Sequence, residues 1–163
     1  MRNFHLILSG FAIVGLPIAM SVNNLHAQTP SQPSTEPTEA PALPPAPKGC
    51  VYLKEVSTGQ TEIRKQVKFG DENTDFAVPT GTKFTYYIPQ LLGENNAKYG
   101  VKLYFKYNDG SNAKVYDKTL SLKRFERVSD KFNSPTEKQP YQINFNVGSD
   151  RNNVYRISVL GCQ

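Results

Sequence analysis

The sequence predicts an all-β domain, an immunoglobulin-like two-sheet sandwich with a small β-barrel as the runner-up. Three observations carry this. Apolar and polar residues alternate with period two through most of residues 49–163, short turn signals separate the alternating runs, and the only two cysteines, Cys50 and Cys162, bracket the region. About 115 residues suffice for one hydrophobic core.

Taken in chain order, Val51–Val56 and Thr61–Phe69 are strand candidates. Phe84, Tyr86 and Ile88 alternate with Lys83, Thr85 and Tyr87, and Val101, Leu103, Phe105 and Tyr107 alternate with Lys102, Tyr104 and Lys106. Ala113–Leu120 follows, then Ile143, Phe145 and Val147 between Asn144 and Asn146, and finally Tyr155, Ile157 and Val159 between Arg156 and Ser158. This period puts alternate side chains on opposite sheet faces. Thr58-Gly59, Gly70-Asp71, Pro79-Thr80-Gly81, Asp109-Gly110 and Gly148-Ser149-Asp150 are the turns. Asp109-Gly110 predicts a two-residue type I′ hairpin, because glycine accepts positive φ without steric cost. Its register places Lys102 opposite Asp117 and Tyr104 opposite Val115. It also puts Lys114 and Lys118 on the side of Val101 and Phe105, which suits a sheet edge where lysines discourage pairing with another chain.

One segment departs from period two. In 121–132 the apolar residues Leu122, Phe125, Val128 and Phe132 have helical spacing, so a short amphipathic helix is expected there. The alternative is a strand with a bulge near Arg124.

Residues 1–27 read as an export signal: Arg2, an apolar stretch Leu6–Met20 broken by small residues and Pro17, and Ala27 before the cut. The run is too short and interrupted to span a bilayer, which needs about 20 apolar residues, so no transmembrane anchor is expected after cleavage. Residues 28–48 hold seven prolines and too little apolar surface to offset their ordering entropy, which predicts a disordered proline-rich linker. Residues 49–163 are the folded unit. In a secreted or periplasmic protein, Cys50 and Cys162 read as a disulfide. The spacing suits neither a Cys-x-x-Cys redox pair nor a zinc site.

Both histidines, His5 and His26, lie within the signal. The mature chain is therefore expected to lack serine or cysteine triads of the usual kind, histidine acid–base chemistry and histidine metal sites. No cofactor motif is present. Asp71-Glu72-Asn73-Thr74-Asp75 spaces oxygen ligands like the start of a calcium loop, but Phe76 and Thr82 stand where that loop needs glycine and glutamate. It reads as a solvated turn, and no metal is expected.

The net charge is +5, and its excess lies in residues 49–163. Lys102 and Lys106 flank Tyr104 on one strand face, and Lys123, Arg124, Arg127 and Lys131 cluster on the expected helix. Basic groups beside tyrosine suit an anionic envelope polymer or an acidic protein surface. Export argues against nucleic acid. The expected function is a non-catalytic binding or structural module of the cell envelope or extracellular space. A second reading is an inhibitor of an exported enzyme, with Leu91 and Leu92 exposed on a loop across Pro89–Ala97. A third is a small enzyme using paired carboxylates.

Overall fold

The computed structural model describes residues 38–163; the expected signal and the first part of the linker lie outside that range. Among the described residues there are eleven strands and no helix: β1 (Cys50–Tyr52), β2 (Lys54–Glu55), β3 (Glu62–Gln66), β4 (Asp71–Ala77), β5 (Tyr86–Gly93), β6 (Ala97–Lys106), β7 (Asn112–Leu122), β8 (Arg127–Ser129), β9 (Phe132–Asn133), β10 (Gln142–Gly148) and β11 (Val154–Cys162). They form two antiparallel sheets. One has five strands in the order β2-β4-β10-β6-β7. The other has six, with β1-β11-β5-β8 as its spine, β3 beside β1 on β11, and β9 beside β8 on β5.

The core lies between the sheets, as period two requires. Tyr99, Val101, Leu103 and Phe105 of β6 and Ile143, Phe145 and Val147 of β10 face Tyr87 and Leu91 of β5 and Tyr155, Ile157 and Val159 of β11. The first strand candidate changes sheets midway. Val51 pairs with Gly161 in the six-stranded sheet, whereas Glu55 pairs with Phe76 in the other. Buried Leu53 sits at the crossing, its N–H donating to the Val159 carbonyl. Cys50 and Cys162 lie opposite each other on β1 and β11 and form the disulfide.

Four expectations are corrected. Residues 121–132 form no helix. β7 runs to Leu122, a turn follows, and β8 and β9 pair with β5, which is closer to the bulged-strand alternative. Long-range bonds override the helical spacing. Phe125 N–H donates to the Gly93 carbonyl, Gly93 N–H to the Glu126 carbonyl, and Arg124 N–H to Asn96 Oδ1. These hold Phe125 at φ 61°, a left-handed conformation that no α-helix continues through.

Asp71–Asp75 is not a turn but the body of β4, with Thr74 and Phe76 inward. Leu91 and Leu92 are not on a loop; both are buried in β5. The Asp109 hairpin has one residue fewer on its returning side than a type I′ turn gives. Lys106 pairs with Asn112, and Tyr107 N–H donates to the Ser111 carbonyl, leaving a three-residue loop with Gly110 at φ 81°. A bulge at Val115 then restores the count, so Lys102 does face Asp117, while Tyr104 faces Lys114. Lys114 points outward and only Lys118 lies level with Val101.

Candidate functional site

The outer face of the five-stranded sheet carries a grid of polar side chains. β4, β10, β6 and β7 are neighbours, and their outward residues align across the strands. One row reads Asp75, Asn144, Tyr104, Lys114. The next reads Asn73, Asn146, Lys102, Asp117. A third row, Ala77, Gln142, Lys106, Asn112, borders the first. On the far side Asp71, Gly148, Gly100 and Thr119 complete the grid. Four strands at the usual spacing span about 14 Å.

The register places these groups within bonding reach of one another. Asn144 Nδ2 donates to Asp75 Oδ1 at 2.8 Å, and Lys106 Nζ reaches the same oxygen at 3.0 Å. Asn146 Nδ2 donates to Asn73 Oδ1 at 3.3 Å, and Lys102 Nζ lies 3.4 Å from Asp71 Oδ2. On β7, Lys114 Nζ meets Asp117 Oδ2 at 2.6 Å. Partial burial of Asp75 pushes its pKa up. Hydrogen bonds from Asn144, Lys106 and Gln142, with the charge of Lys106, outweigh that and hold the carboxyl below its ordinary range. It is thus an ionised acceptor at neutral pH. Gly148 matters here, because a Cβ at that position would collide with the Asp71 carboxylate. The Asp71 side chain thus lies over the Gly148 backbone, whereas at Gly100 opposite a Cβ would meet only the Gly148 carbonyl, at 3.7 Å.

Lys102, Tyr104 and Lys106 lie along β6, opposite Asn146, Asn144 and Gln142 of β10. The other basic residues do not join them. Arg127 sits on β8 of the six-stranded sheet and bonds Glu62 Oε1 at 2.9 Å. Lys131 stands 3.8 Å over the Tyr86 ring, and Arg124 stacks on Phe125 at 4.5 Å. Lys123 lies in the turn before Phe125, its N–H donating to Glu126 Oε2. The four are thus divided between the turn that joins β7 to β8 and the six-stranded sheet, and share no helix face. Leu91 and Leu92, being buried, present no inhibitory loop.

Sequence reasoning missed Asn73, Asp75, Asn144 and Asn146 as site residues. The signal was present in part, since Asn144 and Asn146 alternate with core residues and Thr74, Phe76 and Val78 mark β4 as period two. The best-formed carboxylate group elsewhere is Glu62 and Glu94, bridged by Arg156, with Arg127 on Glu62 and Arg64 on Glu94. Burial pushes Glu94 up, but the bonds and charges of Arg64 and Arg156 prevail and hold it below the ordinary glutamate range. That is the reverse of the raised carboxyl that a glycosidic acid needs. Among the described residues, no cluster of three or more His, Cys, Asp or Glu is arranged to hold a metal ion, and no helix is long and apolar enough to cross a membrane.

No family model matches the chain, and no curated protein matches it in sequence. Several solved structures resemble it in shape. A mutant of CBM29-2, a family 29 carbohydrate-binding module, gives a TM-score of 0.42 at 15% identity, covering 69% of this chain and 70% of that one. A CBM4 structure gives 0.37 at 17% identity, covering 72% and 96%. The CBM22-1 and GH10 modules of Clostridium thermocellum xylanase 10B, complexed with xylohexaose, give 0.38 at 11% identity, covering 71% of this chain and 26% of that one. Each is a likeness of shape alone.

Proposed function

We propose that residues 49–163 form a non-catalytic binding module whose ligand, a neutral glycan chain, lies across the outer face of the five-stranded sheet. One observation carries this reading: the grid is dense in both donors and acceptors, yet its charges are paired. Asp71 is matched by Lys102, Asp75 by Lys106 and Asp117 by Lys114. A polymer of hydroxyl groups needs partners of both kinds and brings no charge to disturb these pairs. An anionic polymer would meet three carboxylates along with the lysines. The Tyr104 ring offers the face on which a sugar stacks, and Gly100, with no side chain over it, lets a ligand approach the backbone. The disulfide fits an oxidising compartment, which supports an exported setting in the envelope or outside the cell.

Affinity electrophoresis through gels cast with neutral or anionic polysaccharides tests this. Retardation by a neutral polymer is expected, little changed by salt and lost in Tyr104→Ala and Asn144→Ala. Retardation by anionic polymers only, falling steeply with salt, returns the site to the anionic reading. No retardation in any gel removes the glycan reading.

A further inference from the structure

Down the middle of the six-stranded sheet, side chains that face away from the core are nevertheless buried. Leu91 of β5 and Ile157 and Val159 of β11 point into the core, so Leu92, Gln90, Ser158 and Leu160 point outward, and all four are buried. The outward residues of a sandwich strand are ordinarily polar and open to water. Neighbouring side chains supply part of the cover: Tyr52, Tyr86 and Ile88 pack around Leu160, and Arg127 and Arg156 meet at Glu62. The end of the proline-rich segment lies on the same face. Thr38, Glu39, Ala40 and Ala42 wall a cleft with Arg64, Glu94 and Arg156. Tyr52 Oη donates to the Pro44 carbonyl at 2.8 Å, and the Pro47 carbonyl accepts from Cys50 N–H at 3.0 Å. Because Tyr52 and Cys50 pair with Leu160 and Cys162, the segment runs along β11 in the same direction, from Arg156 towards Cys162.

We propose that the six-stranded face is a binding site for a proline-rich segment in the polyproline II form, and that residues 38–48 of this chain fill it in cis. From Ala40 to Pro47 the chain joins no ladder, and four of these eight residues are proline, which fixes φ in the range this helix needs. Polyproline II turns once every three residues. Ala40 and Leu43, three apart, are the half-buried residues of the stretch, and the other six are exposed. One edge of the helix is therefore laid against the sheet. The chemistry of the face suits this occupant. Polyproline II leaves its carbonyls without internal partners, and the Tyr52 phenol supplies a donor for one of them. Tyr52 and Tyr86 give the groove the aromatic surface that proline-rich ligands dock on. The cleft beside Thr38–Ala42 holds Arg64, Arg124 and Arg156 against Glu94, and Glu39 brings a second carboxylate to it. Proline stiffens the segment before it docks, so little chain entropy is lost on docking. The folded unit then begins at 38 rather than 49. No residue of the sheet-face grid takes part, so this site stands or falls separately from the proposed function.

The test is nuclear magnetic resonance on the disulfide-bonded chain. In the parent, the backbone amides of Ala40, Ala42, Leu43 and Ala46 are expected to give the heteronuclear Overhauser effects of ordered backbone, like those of β11; coil-like values overturn the proposal. A second chain has residues 38–46 replaced by an equally long run of Gly and Ser. A synthetic peptide with the sequence of residues 38–48 is titrated into both. It should shift the amides of Tyr52, Tyr86 and Gln90 in the replaced chain, and bind the parent at least tenfold more weakly because its site is filled. Adding Tyr52→Phe to the replaced chain should weaken the peptide about fivefold, the usual worth of one hydrogen bond. If the peptide binds neither chain, or both equally, the proposal fails. If the replaced chain does not fold, the Overhauser effects of the parent decide.

Discussion

The two outer faces of the sandwich hold similar side chains and use them differently. On the six-stranded face the polar groups are turned inward on one another. Glu62 and Glu94, with side chains 15% and 11% exposed, are enclosed by Arg64, Arg127 and Arg156, and buried Ser158 bonds Gln90. At its other end the disulfide joins Leu160, Tyr52, Tyr86 and Ile88 in a small apolar cluster, and Tyr52 Oη donates to the Pro44 carbonyl of the proline-rich segment. On the five-stranded face the pairs stay open to water. Lys102 and Asp71 are 41% and 53% exposed and 3.4 Å apart. Charge content alone does not separate these faces. Burial of the pairs does, because an enclosed ion pair with one partner removed strands a charge, while an open one returns it to solvent.

The largest effect expected from breaking the stitched face is at the disulfide. Cys50→Ser with Cys162→Ser frees a loop with a sequence separation of 112, and removal of such a bridge costs about 3–5 kcal/mol. Urea unfolding of the two forms measures it. If the faces are as independent as their chemistry suggests, polysaccharide binding by the surviving folded protein is unchanged. A loss below about 1 kcal/mol would show that the apolar cluster, not the covalent bond, holds β1 to β11.

Next is Glu94→Gln. The amide still accepts a hydrogen bond but no longer neutralises Arg64 and Arg156, and a loss of about 2–3 kcal/mol is expected, the range of bonds to charged groups. The same substitution has a pH signature. Because the folded carboxyl lies below the ordinary glutamate value near 4.3, the unfolded chain binds its proton first. The stabilisation is therefore complete above that value and lost as pH falls through the lower folded one. Urea midpoints taken between pH 6 and 2 should fall steeply for the parent and less steeply for Glu94→Gln. Parallel curves would mean that other carboxylates carry the acid limb.

These contrasts explain what was legible in the sequence. The sandwich, the disulfide and the outward set Lys102, Tyr104 and Lys106 follow from period two and cysteine placement. The type I′ register still matches Lys102 to Asp117, because the Val115 bulge cancels the residue that the Asp109 loop lacks. β4 was hidden because an edge-side strand with an outer polar face needs few apolar residues, and Asp, Glu and Asn favour turns by local bonding. Leu91-Leu92 shows no strand period because a strand buried on both faces loses its alternation. The 121–132 segment has helical spacing, but its hydrogen-bond partners lie some 30 positions away in sequence, where no local pattern reports them.

The smallest expected effect decides the comparison. Lys102 and Asp71 form the most exposed pair of the grid that crosses strands. A double-mutant cycle with Lys102→Met and Asp71→Asn should give a coupling to stability below about 0.5 kcal/mol, as exposed pairs do. If the pair belongs to a ligand surface, the same cycle run on polysaccharide affinity should give the larger coupling. Each charge then orients the other toward a sugar hydroxyl, and removing either spoils both. If the pair is only a soluble surface, both couplings vanish and each single change alters affinity by less than twofold. If stability coupling exceeds affinity coupling, the five-stranded face is stitched like its opposite, and the ligand must be sought elsewhere on the molecule.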